Sequence, residues 1–153
     1  MSKDLPWEGG CRCNGVRFRI TAPPLLTAAC HCTGCQRMTG SAYSLSMAIP
    51  SSGFAVIKGE PVIGGMHGND RHFFCPSCMS WMFTRLGFTD AFVNVRTTML
   101  DDPGRFVPFM ESYTSEKLPW VSVPAVHSYA QFPPPDDIEG LLREFAEAMA
   151  EEK

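Results

Sequence analysis

The sequence predicts a mainly β domain of short strands followed by one C-terminal helix. Three observations point that way. Thirteen glycines and thirteen prolines punctuate the 153 residues too often for long helices. Short stretches such as Val16-Arg17-Phe18-Arg19-Ile20-Thr21 alternate apolar and polar side chains, the period of a half-buried strand. Helical spacing stands out once, at Ile138, Leu141, Leu142, Phe145 and Met149. The length suits a single domain with a sizeable core.

Taken in order, residues 1 to 10 read as a lead-in ending in Gly9-Gly10, before the pair Cys11-Arg12-Cys13 and the turn Asn14-Gly15. The strand at 16–21 stops at Pro23-Pro24, and Leu25 to Cys30 forms a second strand that delivers a cysteine cluster. Gln36 to Gly40 reads as a turn or one helical turn. Ala42 to Ile49 is a strand with Tyr43, Leu45, Met47 and Ile49 on one face. Phe54–Lys58 and Pro61–Ile63 are short strands joined by Gly59-Glu60, and Gly64 to Asp70 is a loop. Arg71-His72-Phe73-Phe74 leads into Cys75-Pro76-Ser77-Cys78, and strands follow at 80–86 and 91–97. Asp101-Asp102-Pro103-Gly104 is a turn, and the proline-punctuated stretch 105–135 reads as irregular. Asp136-Asp137 offers an N-cap for the final helix, which Gly140 weakens slightly.

Composition excludes several functions. A formal charge of −3 and a pI near 5.8 provide no basic face for nucleic acid. No apolar run reaches the roughly 18 residues of a membrane span, and Met1 to Trp7 lacks the apolar centre of a signal peptide. These features place the chain in the cytoplasm. There, seven cysteines read as metal ligands or catalysts rather than disulfides, and the odd count speaks against a complete disulfide framework.

The cysteines divide as two, three and two: Cys11 and Cys13; Cys30, Cys32 and Cys35; Cys75 and Cys78. The simplest partition joins the outer pairs into one four-thiolate structural zinc site, and Cys75-Pro76-Ser77-Cys78 has the form of a zinc knuckle. The middle three form a second zinc site with one position left for water or substrate. The alternative is a closed second site, completed by His31, His67, His72 or His127; His31, lying between two ligands, is poorly placed to reach the same ion. An open zinc ionises a bound thiol and polarises a carbonyl, so the chemistry that follows is reversible addition of a thiol to an aldehyde.

Several motifs match a known family. They are Gly10-Cys11-Arg12-Cys13 with Val16-Arg17-Phe18, and Cys30-His31-Cys32-Thr33-Gly34-Cys35-Gln36-Arg37 with Thr39-Gly40-Ser41-Ala42. Further on come Gly59-Glu60-Pro61, Arg71 to Cys78, and Lys117-Leu118-Pro119-Trp120. On these the chain resembles the glutathione-dependent formaldehyde-activating enzymes, whose domain also occurs in the centromere protein V group. The resemblance implies a β-tent of twisted antiparallel sheets and one zinc-binding domain over residues 1–153. The resemblance covers the core, about 8–121; beyond it lies an extension over 122–153, in which the helical spacing noted above places a helix at about 137–150. It also implies a structural zinc on Cys11, Cys13, Cys75 and Cys78, and a catalytic zinc on Cys30, Cys32 and Cys35. The activity implied is that of a carbon–sulfur lyase forming S-hydroxymethylglutathione from glutathione and formaldehyde.

The chain departs from the family pattern in three places. Met79 stands where a glycine usually follows the knuckle, Asn14 where a glycine often follows the first pair, and Glu111 where many members carry a histidine. If that histidine lines the pocket, a carboxylate in its place changes the substrate. Gln36, Arg37, Thr39 and Ser41 are the candidate substrate-binding residues, with Arg37 as anchor for a carboxylate of the thiol; the rival role for them is to hold the loop by local hydrogen bonds. Lys117 reads as a pocket-edge residue, Trp120 as core, and Arg85 and Arg96 as solvated. Two further functions compete with the lyase: a non-catalytic zinc-stabilised module that binds a thiol or a protein, and a thiol–disulfide or sulfoxide-reducing enzyme. The last needs a free cysteine, and the two zinc sites use all seven.

Overall fold

The structure is a computed structural model in which residues 4–152 are described. The first three residues of the lead-in and Lys153 lie outside the described residues. The chain forms two compact units, one of residues 1–24 and 46–106, the other of 25–45 and 107–153.

The first unit is almost wholly β. Strands β1 (Trp7–Gly10), β2 (Arg17–Ile20) and β5 (Phe54–Lys58) make a three-stranded antiparallel sheet. The predicted lead-in is thus partly a strand: Gly9 and Gly10 pair with Phe18 and Arg17. An ideal Cβ on Gly9 would meet the Met99 carbonyl at 2.3 Å, so only glycine fits this close approach. In β2 the pleat buries Phe18 and Ile20 and sends Arg17 and Arg19 outward, as the alternation predicts.

A second antiparallel array contains β4 (Ser44–Pro50), β9 (Phe92–Arg96), β8 (Trp81–Arg85), β7 (Asp70–Phe74) and β6 (Val62–His67), paired in that order. The loop read at Gly64 to Asp70 is therefore mostly strand. β7 supplies a ladder that carries β6 through its glycines to His67, with an irregularity between Gly64 and His67. Being largely exposed, β6 shows no alternation that a sequence reading could use. Phe18, Ile20, Met47, Ile49, Met82, Phe83, Val93 and Val95 are all at most 2% exposed and form the core, on which Cys11 and Cys75 abut. Burial of each such large side chain stabilises by roughly 1.5–3 kcal/mol. Trp81 and Phe83 are core, but Arg96 is not solvated: it is buried with its guanidinium 4.1 Å from the Trp81 ring centroid. Arg85 is half-buried and lies over the Phe54 and Phe83 rings.

The second unit contains β3 (Leu26–Cys30), α1 (Thr33–Thr39), β10 (Met110–Ser112), β11 (His127–Ser128) and α2 (Pro135–Glu151). β10 lies between β3 and β11 and runs parallel to both, so the stretch read as irregular contributes two short strands. Neither strand is long enough to display a period. α2 lies where the helical spacing places it, and Leu141 and Phe145 are its buried residues, four apart on one face. It starts two residues early, with Pro134 at the N-cap, leaving Asp136 and Asp137 in the first turn, where the helix dipole favours them. Trp120 is 76% exposed, contrary to its reading as core. Among the described residues no helix is long and apolar enough to cross a membrane.

Candidate metal centres

The four outer cysteines come together within the first unit. Two tight turns present them. In one, Asn14 N–H donates to the Cys11 carbonyl and Cys11 N–H to the Val16 carbonyl; in the other, Met79 N–H donates to Cys75 and Cys75 N–H to Ser80. Each turn needs one left-handed residue, Asn14 at φ 59° and Met79 at φ 58°. The knuckle therefore keeps its shape without the usual glycine, its methionine side chain turned 58% into solvent. The Cys11–Cys13 and Cys13–Cys75 sulfur separations are 3.6 and 3.7 Å. Sulfurs at the corners of a tetrahedron with metal–sulfur bonds of about 2.3 Å stand about 3.8 Å apart, whereas a disulfide needs about 2 Å. The donor set thus fits a tetrahedral thiophilic ion. Backbone N–H groups of Val16, Ser77 and Cys78 point at Cys11 and Cys75 sulfurs.

The three middle cysteines come together within the second unit. β3 ends on Cys30; Cys32 then caps α1, its sulfur accepting from Cys35 N–H at 3.3 Å. Cys35 follows in the first helical turn. Gly40, at φ 62°, ends the helix by donating its N–H to the Gln36 carbonyl. The loop is tied down from a distance in sequence. Glu116 accepts from both the N–H and the hydroxyl of Thr33, and Gln36 Nε2 donates to the carbonyls of His31 and Glu116.

The sulfurs in each group lie within 4.8 Å of one another. Among the described residues no histidine or carboxylate joins either group. His31 is fully buried with Nε2 2.9 Å from Glu111, His72 is bonded to Thr84, and His127 to Glu144.

Crowding the thiols splits their acidities. The Cys35 thiol, the Cys32 N–H and the Ser112 hydroxyl bring Cys30 down to about 5 against the opposing effect of burial. Cys35 is driven upward, chiefly by its hydrogen bond to Cys30 and then by burial, with Ser44 bonding opposing the shift. In the four-cysteine group the Gly15 N–H lowers Cys13, but its thiol neighbours outweigh it and push it up to about 11. Cys78 falls to about 5 beside the Ser80 hydroxyl. Neither group ionises fully without a cation to offset the repulsion, which is the chemistry of a metal cradle.

The other candidate residues are placed as follows. Gln36 spends its donor on carbonyls, and Thr39 donates to the Cys35 carbonyl at 2.8 Å, so both hold the loop. Arg37, in the last turn of α1, and Ser41 are exposed. Glu111 is 5% exposed, so it does not present a carboxylate to solvent; it receives Lys117 Nζ at 3.1 and 3.2 Å, Ser128 Oγ at 3.0 Å and His31 Nε2. Burial raises its pKa, but these partners outweigh it and hold the carboxyl below its ordinary range. Sequence reasoning marks Glu111 as unusual but misses this role, together with Glu116, Ser112 and Ser44. Glu111, Ser112 and Glu116 lie on a strand and a turn too short for a period of their own, and nothing local to Ser44 shows its place beside Cys35.

Comparison with known proteins places the chain in a family. A curated protein of Halomonas elongata named as a putative glutathione-dependent formaldehyde-activating enzyme is 29% identical over 86 residues, covering 50% of this chain and 55% of that one. The match thus spans about half of either protein. A crystal structure of a Rhodobacter sphaeroides protein shares the fold, with a TM-score of 0.52 at 19% identity, over 61% of this chain and 87% of that one. A family model described as glutathione-dependent formaldehyde-activating enzyme matches residues 6–116. That stretch covers well over half of the chain and takes in all seven cysteines, and the chain therefore belongs to the glutathione-dependent formaldehyde-activating enzyme family.

Proposed function

We propose that the protein is a zinc-dependent carbon–sulfur lyase that reversibly adds a small thiol, such as glutathione, to an aldehyde, such as formaldehyde. The carrying observation is the difference in donor number between its two cysteine groups, four sulfurs against three. Cys11, Cys13, Cys75 and Cys78 hold a structural zinc. Cys30, Cys32 and Cys35 hold the working zinc. A zinc held by three protein sulfurs supplies a position at which a thiol ionises near neutral pH.

The chain's own residues do the rest. The α1 cap ties the Cys32 sulfur to the backbone of Cys35, and Cys30 is set by the end of β3. Arg37 offers an exposed guanidinium for a carboxylate of the thiol substrate, and Ser41 an exposed hydroxyl. In the reaction the thiol sulfur bonds to the carbonyl carbon. The carbonyl π pair becomes a lone pair on oxygen, and the proton lost by the thiol ends there. No oxidant or reductant is consumed.

The test is exchange NMR of glutathione with formaldehyde, in which the zinc-loaded protein accelerates interconversion with S-hydroxymethylglutathione and the Cys32→Ser variant does not. An uncatalysed rate with fully loaded protein would remove this substrate pair. Tight thiol binding without turnover would favour the binding module.

A further inference from the structure

Strand β10 sits beside the ligand-bearing end of β3, and its residues are out of proportion to its length. It pairs in register with β3, so that Glu111 faces Ala29 and Ser112 faces Cys30 across the ladder. Successive residues of a strand point to opposite faces. Ser112, opposite Cys30 in the register, carries its hydroxyl on the same face of the ladder as the Cys30 sulfur. Glu111 uses the other face to hold His31, the residue between Cys30 and Cys32, through Nε2 at 2.9 Å. Both are buried, at 5% and 4% exposure, and His31 is completely so.

The carboxylate is also fixed from behind. Lys117 reaches both of its oxygens and Ser128 reaches one. With Glu111 ionised, the Nε2 of His31 carries a proton and donates it to the carboxylate. His31 Nδ1 has no partner. The imidazole is therefore held from one side only, by Glu111, with an edge contact to Tyr43 whose ring centroid is 5.6 Å away. Among the described residues no other hydrogen bond fixes the ring.

We propose that Glu111 and Ser112 are positioning residues for the three-cysteine centre. β10 acts as a brace that sets the directions of the Cys30 and Cys32 sulfurs, through the Glu111–His31 pair on one face and Ser112, set opposite Cys30, on the other. This rests on the reading that Cys30, Cys32 and Cys35 hold zinc. The brace also accounts for the departure at 111: this chain uses a carboxylate there to grip its own His31, not to meet a substrate.

The experiment is a chelator competition on the full zinc-loaded chain, together with cobalt substitution, whose thiolate charge-transfer and d–d bands report sulfur geometry. Glu111→Ala and Ser112→Ala each weaken metal binding at the three-cysteine centre, by about 10- to 100-fold, the usual consequence of removing a group that orients a ligand. The four-cysteine centre keeps its affinity and serves as the internal control. Glu111→Gln keeps an acceptor for His31 and rescues most of the loss. Cobalt bands at the three-cysteine centre shift in Glu111→Ala. Should Glu111→Ala not fold, Ser112→Ala and Glu111→Gln carry the comparison.

Variants that lose thermal stability yet hold the second metal within about twofold of the parent, with unchanged cobalt bands, would overturn the proposal and leave these residues a role in folding alone. A parent chain that takes up metal only at the four-cysteine centre would instead remove the reading on which the proposal stands.

Discussion

The two cysteine centres are built on opposite plans. The four-cysteine centre draws its ligands from two turns far apart in the chain and fixes them by backbone geometry, with N–H groups of Val16, Ser77 and Cys78 aimed at sulfur and left-handed residues at Asn14 and Met79. It abuts the main core through Cys11 and Cys75. The three-cysteine centre takes its cysteines from six consecutive positions; apart from one N–H of the same kind, Cys35 to the Cys32 sulfur, it is side chains that hold its loop: Glu116 on Thr33, Gln36 on two carbonyls, Glu111 on His31. A centre that joins remote segments is part of the folding reaction. One that lies within a single capped loop is a device mounted on a fold that forms around it.

The largest expected effect follows from that contrast. Metal binding at a structural site contributes folding free energy on the order of 10 kcal/mol. Cys75→Ser, or exhaustive chelation, therefore unfolds or aggregates the first unit, as loss of the cooperative melt in circular dichroism will show. Cys32→Ser keeps a cooperative melt and reduces the metal count by one ion. Equal tolerance of both changes would erase the distinction between the centres.

Next in size is the buried carboxylate. Glu111→Ala leaves Lys117 and His31 without their partner, and breaking a buried charge pair costs about 3–5 kcal/mol. Lys117 is 22% exposed and can turn its ammonium to water, so a loss of about 2–3 kcal/mol in urea unfolding is expected. Lys117→Met, which strips the carboxylate of its cation but not of His31 and Ser128, costs less than Glu111→Ala.

The same contrast explains what could be read in the chain before its fold was known. The grouping of the seven cysteines is written in local spacing, because each turn is short and a C-x-C or C-x-x-C pair has few other uses in such a chain. β2 and α2 are legible because Phe18 and Ile20, or Leu141 and Phe145, recur at the period of their element. β10 and β11 are three and two residues long, too short for any period, and exist because β3 offers them a ladder. For that reason the side-chain supports of the three-cysteine centre stayed hidden: Glu111, Ser112 and Lys117 reach it only through pairings that are remote in sequence. Arg96 was misread for a related reason, since nothing local announces the Trp81 ring on the neighbouring strand.

A smaller effect tests the backbone plan of the four-cysteine centre from within. A non-glycine residue in the left-handed region costs roughly 1–2 kcal/mol, and glycine returns part of that through its larger entropy when unfolded. Met79→Gly should therefore stabilise by about 0.5–1 kcal/mol. Asn14→Gly should change stability little, since asparagine tolerates this region better than most residues and its side-chain oxygen accepts from Arg17 at 3.1 Å. Parallel urea titrations decide it. A Met79→Gly variant less stable than the parent would mean that the methionine side chain contributes packing that its 58% exposure does not reveal.

The smallest expected effect sets an exposed brace against the buried one. Arg17 joins Asn14, beside Cys13, to Asp101 by two short contacts of 2.8 and 2.5 Å. The Arg17 bond holds the Asp101 carboxyl below its ordinary 3.8. A carboxylate lowered in the folded state stabilises above its unfolded pKa and loses that contribution as pH falls through the lowered folded value. The pair thus supports the turn at neutral pH and progressively less below about pH 3.8. Because the Asp101 side chain is 57% exposed, solvent screens most of this energy, and Asp101→Asn should cost about 0.5 kcal/mol at pH 7. The gap between variant and parent should narrow in urea titrations carried down toward pH 3 and shrink in high salt. An Asp101→Asn loss as large as that of Glu111→Ala would mean that the four-cysteine turns depend on side-chain charge as much as the three-cysteine loop does, and the two plans would no longer differ in kind.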